Sequence, residues 1–228
     1  MTAPEAEPLS AIESTLSALA ALRPNRVDPA HYSVKAKIPS KVAALRAGLL
    51  YRLVELASVS LQCLKGGQIA AAVILARATL ETVTALWFAT RKIERAIEAR
   101  RVVELDDDLM KLLLGFKAAK PCAEVPDAIN VLTFFKHIGK EVQNMELMYA
   151  DLSEYAHPNW SGAASLYSKP DLVNLRLDFH ATQPTNTAPV ELTGTTLEIS
   201  VVAFQQLHKQ LDCLMPQLIE LTESALNP

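Results

Sequence analysis

The sequence holds only three cysteines, Cys63, Cys122 and Cys213, far apart and outside any C-x-x-C or His/Cys spacing. Their scarcity excludes a disulfide framework and a zinc ribbon, and predicts a reducing compartment, hence a cytoplasmic protein. Aromatic residues make up only 6% of a chain that is half apolar, so the core must be built from Leu, Ala, Val and Ile, the usual filling of helix-on-helix packing. With seven glycines there is no G-x-G-x-x-G and no P-loop. An H-E-x-x-H helix and a G-x-S-x-G elbow are also missing, and the five histidines (His31, His137, His157, His180, His208) are scattered without metal-ligand spacing. No metal and no cofactor is expected. The formal charge of −3 offers no general attraction to DNA or to an anionic membrane. Glu5 and Glu7 stand where a signal peptide would carry a basic leader, so export is not expected. Ile69 to Ala89, the most apolar run, is broken by Arg77 and Glu81, whereas a spanning helix needs about twenty largely apolar residues, so no membrane span is expected.

What is present is helical period. Ser10-x-x-Glu13 is a capping box that starts a helix ending near Leu22, before Pro24. Val42, Leu45, Leu49, Leu53, Leu56 and Leu64 recur at three- and four-residue steps, and Gly66-Gly67 closes that second helix. Gln68 to about Arg101 reads as one long helix, first apolar nearly all round and therefore central, then charged and solvated. Asp106, Asp107 and Asp108 suit the positive N-terminal end of a fourth helix running to Pro121. A fifth helical region follows Pro126, interrupted near Gln143-Asn144 and ending before Pro158.

From Asn159 to Thr193 the helical period disappears. Val173 to Phe179 alternates apolar and polar as a half-exposed strand does, with Pro189 to Leu192 as its expected hairpin partner. Thr195-x-x-Glu198 then caps a last helix, in which Pro216 is expected to introduce a kink. The prediction is a mainly all-α single domain over residues 1–228, a bundle of about six helices. Residues 1–39 form its N-terminal helix and irregular arm, and 159–194 a small β-hairpin insertion before the C-terminal helix. Apolar residues on more than one face of 68–90 need more cover than a thin bundle gives, which predicts a homodimer.

Two groups of polar residues stand out. Arg77 and Glu81 lie four apart on one face of an otherwise apolar helix, with Thr84 beside them. Such a pair fixes helix register as a structural ion pair, or it receives a phosphate or carboxylate in a cleft between helices. Further on, Tyr149, Ser153 and His157 share one helical face with Glu154 alongside. His157 at a helix C-terminus is either held by the dipole's negative end or used for acid–base work, oriented by Ser153 or Glu154. Trp160 and Tyr167 either stack on a base or cover a core edge. Residues 23 to 52 hold Arg23, Arg26, Lys35, Lys37, Lys41, Arg46 and Arg52 against Asp28 alone, a cationic stretch suited to an anionic partner.

The pairing of Ala76-Arg77-x-x-x-Glu81 with Ser153-Glu-Tyr-Ala-His157-Pro158 resembles bacterial helical proteins related to HEPN domains, over roughly residues 40 to 165. The resemblance implies a helical bundle, commonly dimeric, and in several members a metal-independent ribonuclease of toxin–antitoxin or phage-defence systems. Their nuclease motif is Arg, four to six residues, then His. His157 matches its histidine, but Ala150, Asp151 and Leu152 stand where the arginine belongs. Three functional readings remain open at this point. One is a small-anion binder using Arg77, Glu81, Ser153, Glu154 and His157 as one polar cluster. Another is a HEPN-like ribonuclease acting on RNA, with His157 catalytic and an arginine supplied by Arg77 or the basic 35–52 stretch. The third is a protein-interaction subunit, marked by an exposed apolar patch.

Overall fold

The computed structural model describes residues 6–118, 120–179 and 187–226. In chain order these form α1 (Ala6–Ala21), a 3-10 turn (Pro29–His31), α2 (Ile38–Lys65), α3 (Ile69–Ala99), α4 (Val103–Leu114), α5 (Val131–Ile138) and α6 (Met145–Ala156). A π-helical turn (Trp160–Ala164) then leads through α7 (Ser165–Tyr167) into strands β1 (Ser168–Asp171) and β2 (Arg176–Phe179), and α8 (Ala188–Ser224) closes the chain. The fold is all-α with a small antiparallel hairpin before the C-terminal helix.

The apolar run predicted to be central is central. α3 packs against α2 and α8 along most of its length and against α4, α5 and α6 on its remaining sides. Ala72, Val73, Ala76 and Leu80 are fully enclosed. By length and apolar content α3 could cross a bilayer, but here it is the core helix of the bundle, wrapped by its own chain. Its charged second half is not simply solvated, because Ile93 and Ala96 turn inward and give that half a buried stripe. Buried hydroxyls do not disturb the apolar packing. Thr79, Thr82 and Thr90 each donate to the carbonyl four residues back at 2.8 Å, as do Thr193 at 2.6 Å and Thr222 at 2.8 Å in α8.

α2 ends where its glycines stand. The Gly66 amide reaches Gln62 O and the Gln68 amide reaches back to Cys63 O, both at 2.9 Å, with Gly67 between them at φ 76°. That is the left-handed C-terminal turn in which glycine meets no Cβ penalty. α4 starts three residues earlier than the aspartates suggested, with Glu104 and Asp106 in its first turn. The carboxylates also tie helices together: Asp106 pairs with Lys41 of α2 at 2.6 Å and Asp108 with Lys92 of α3 at 2.8 Å. α4 stops at Gly115, short of Pro121, because Phe116 leaves the helix to bridge Asp127, its amide bonding Pro126 O and its carbonyl accepting from the Ala128 amide.

The hairpin exists with a different partner strand. β2 pairs antiparallel with β1, in the register Ser168↔Phe179, Lys169↔Asp178, Pro170↔Leu177 and Asp171↔Arg176. Residues 172–175 make the turn: Asp171 Oδ1 accepts from the Val173 and Asn174 amides, Asn174 Nδ2 donates to Asp171 Oδ2, and Leu175 sits at φ 52°. Pro189 to Leu192, expected as a strand, is the first turn of α8, with Pro189 in the position where its fixed φ and missing amide favour a helix start. The capping box at Thr195 therefore lies inside the helix, which runs on through Pro216 to Ser224. The polar stretch expected between the strands, and His180 with it, falls largely on 180–186, outside the described residues.

Candidate functional site

Arg77 and Glu81 sit one turn apart on α3 where α6 packs against it. The residue that joins them comes from α6. Tyr149 is buried with its ring stacked on Phe135 of α5, centroids 4.0 Å apart at 25°. Its hydroxyl accepts from Arg77 Nη2 at 2.7 Å and donates to Glu81 Oε1 at 3.0 Å, and Arg77 Cζ lies 4.9 Å from the ring centroid. One phenol thus links a cation and an anion that meet only loosely, Arg77 Nε standing 3.4 Å from Glu81 Oε1. That Nε is buried without a hydrogen-bond acceptor. An unmet buried donor costs about 1–3 kcal/mol. Burial pushes the Tyr149 phenol above its ordinary value against the opposing pull of the Arg77 hydrogen bond, so the hydroxyl keeps the proton it gives to Glu81. The group is not sealed: the Arg77 and Glu81 side chains remain 28% and 26% exposed.

The other predicted residues fall elsewhere. The Thr84 hydroxyl donates to the Glu81 main-chain carbonyl at 3.0 Å and so stays out of the carboxylate's shell. Ser153 does the same on α6, its hydroxyl bonding Tyr149 O at 2.7 Å, which braces the helix under the phenol. Glu154 is exposed and accepts from Asn159 Nδ2 at 2.6 Å, across the end of α6. His157 terminates α6, its amide bonding Ser153 O at 3.1 Å. Its imidazole is exposed, with no hydrogen bond or ion pair among the described residues. The chain wraps tightly after it: Asn159 Oδ1 caps the Gly162 amide, and a Cβ on Gly162 would meet His157 O at 1.9 Å. Tyr149 and His157 share a face eight residues apart, about 12 Å along the axis. The five predicted site residues are therefore not one cluster: Arg77 and Glu81 of α3 meet through Tyr149 of α6, Ser153 braces the main chain beneath it, and Glu154 and His157 stand apart near the end of α6.

The cationic stretch is largely spoken for. Lys41 and Arg46 pair with Asp106 and Asp212, Arg52 Nε donates to the Thr82 hydroxyl, and Arg23 bonds Ala20 O and lies over the Tyr51 ring. Lys35, Lys37 and Lys41 line a cavity of about 330 Å³ between the starts of α2 and α4 and the end of α8. His137 and His208 rest against Phe88 and Phe204, and burial holds both below the usual imidazole range. Trp160 is exposed on the π-helical turn. Among the described residues no three His, Cys, Asp or Glu side chains gather as a metal site requires.

Tyr149 is what sequence reasoning missed as a site residue. Its signal was the spacing Tyr149, Ser153, His157, which put it on the polar face of α6, but the partner that makes it central lies on another helix. No family model, no curated protein and no solved structure matches this chain.

Proposed function

We propose that this helical-bundle protein binds a small anion, phosphate or carboxylate in chemistry, at the crossing of α3 and α6, with Arg77 as the binding group. The carrying observation is that Arg77 is positioned but not satisfied: Tyr149 takes one N–H, Glu81 is 3.4 Å away, and the side chain remains 28% exposed. A guanidinium offers five donors in a fixed fork, and an oxyanion at its open edge gains charge-assisted hydrogen bonds without reorganising the arginine. Glu81 lowers the affinity and sets selectivity, since a ligand that also donates a hydrogen bond can use both groups. Calorimetric titration with inorganic phosphate and with acetate tests this. Wild type should bind one of them, and Arg77→Met should weaken binding roughly tenfold to a hundredfold, the loss of about 1.5–3 kcal/mol from charged hydrogen bonds. Equal binding by wild type and Arg77→Met would sink the reading.

A second reading, a HEPN-like metal-independent ribonuclease, draws on one observation, the solvent-exposed imidazole of His157. A general base must reach its proton, and an exposed histidine at the end of a helix can do so. With Arg77 held at Tyr149, about 12 Å away along α6, RNA would have to lie along that face to meet both. The measurement is cleavage of a labelled RNA in the presence of a chelator. Activity in wild type and its loss in His157→Ala is the expected pattern, and an RNA left intact by wild type rules it out.

A further inference from the structure

Among the described residues, the β1–β2 hairpin beyond Ser168 is little covered by the helices. Leu172, Val173 and Leu175 at its tip are 81%, 91% and 89% exposed, and Phe179 on β2 is 67% exposed. The register puts Ser168, Pro170, Leu177 and Phe179 on one face and Lys169, Asp171, Arg176 and Asp178 on the other, so beyond the buried Ser168 the ribbon is amphipathic, with Leu177 and Phe179 partly open on its apolar side. Its two edges differ. Pro170 has no amide to give, which in an antiparallel ladder places the Pro170↔Leu177 pair at a position that exchanges no hydrogen bonds. The missing donor thus falls on the outer edge of β1 and blocks it, while the N–H and C=O of Leu177 turn outward on β2.

We infer that the outer edge of β2 pairs antiparallel with the same edge of a second copy of this chain, about a two-fold axis at Leu177, giving a four-stranded sheet. The sequence of β2 is self-complementary in that register. Leu177 faces Leu177 of the second copy and exchanges both main-chain bonds. Arg176, which within the chain stands 3.2 Å from Asp171 and 3.4 Å from Asp178, then also faces Asp178 of the second copy and Asp178 its Arg176, in the closer, non-hydrogen-bonded pairs where opposite charges interact best. The apolar faces of the two hairpins then lie side by side as one continuous surface, with the two Leu177 side chains adjacent across the axis. A shift by one residue sets either Arg176 against Phe179 and Asp178 against Leu177, or Arg176 against Leu177 and Asp178 against Leu175, so charge and polarity select the centred pairing. An isologous contact of this kind closes at two copies and leaves the proline-blocked edges of β1 outermost, where they cannot add further strands.

Light scattering on the full chain during gel filtration tests it. Wild type is expected at twice the 24.9 kDa chain mass, falling toward that mass on dilution. Leu177→Pro keeps the hairpin, because residue 177 gives no bond to β1, but it removes the donor at the axis and should run at 24.9 kDa with unchanged helical circular dichroism. Leu177→Val, which keeps the amide and a good strand former, should remain dimeric. A wild type that stays at the chain mass at the highest concentration it tolerates overturns the inference, as does a Leu177→Pro variant that is still dimeric.

Discussion

At the scale of single residues, Tyr149 separates two kinds of energy. Its ring packs on Phe135 in the core, while its hydroxyl serves Arg77 and Glu81. Tyr149→Phe keeps the packing and strips two charged groups of their shared partner, so it should lower the unfolding free energy in urea by about 1–3 kcal/mol, against about 3–5 kcal/mol for Tyr149→Ala, which also opens a cavity. Equal losses in the two variants would mean that the hydroxyl contributes nothing. His208 yields a pH prediction. Burial and the charge of Arg46 hold its imidazole below the ordinary 6.5, against the opposing pull of Asp212, and Nδ1 has no hydrogen-bond partner. Because the folded state binds the proton more weakly than the unfolded one, the stability from a neutral His208 is present above about 6.5 and is lost as pH falls through the depressed folded value. Thermal midpoints measured downward from neutral pH should fall less steeply for His208→Gln than for wild type; parallel curves would remove His208 from the account.

At the scale of elements, helix ends show what a sequence makes legible. Gly66-Gly67 marks the end of α2 because glycine takes a left-handed φ without a steric penalty, and Gly67 does so. α3 ends in the same turn with an arginine in that place: Arg100 sits at φ 51°, and the Arg101 amide reaches Ala96 O at 3.0 Å. No glycine marks that stop, yet the sequence places it at about Arg101, within two residues of Ala99. Arg100→Gly should relieve the strain and raise stability in urea by up to about 1 kcal/mol, while Gly67→Ala should lower it by about the same amount. A destabilised Arg100→Gly would show that the arginine side chain matters more than its backbone. The helices α2 and α3 were readable because dense apolar repeats set their buried faces. The hairpin partner was not: Ser168-Lys-Pro-Asp171 has no apolar alternation and becomes a strand only because Asp171 organises the turn, whereas Val190 and Leu192 alternate yet start α8 behind Pro189. For the site, the spacing of Arg77 and Glu81 could be read from one helix. The link through Tyr149 depends on how α6 lies against α3, which no local pattern records, whereas the eight-residue step from Tyr149 to His157 was there in the sequence.

At the scale of the whole molecule, the bundle and the hairpin answer to different forces. α2, α3 and α8 enclose a continuous core, with α1, α4, α5 and α6 packed around them, and the hairpin's main contacts are between its own two strands. Side chains as exposed as Leu172, Val173 and Leu175 bury little on folding and so add little to the stability of a single chain. What they contribute comes only when another surface covers them, and a contact between copies stabilises by mass action. Replacing Lys169 to Asp178 by a short Gly-Ser linker should therefore change the thermal midpoint of a dilute sample by less than about 4 °C, which is about 1 kcal/mol for a chain of this size. The wild-type midpoint should rise with protein concentration and that of the shortened chain should not. A large loss in the dilute sample would make the hairpin part of the core, whereas a concentration dependence that survived its removal would put the contact between copies on the helices.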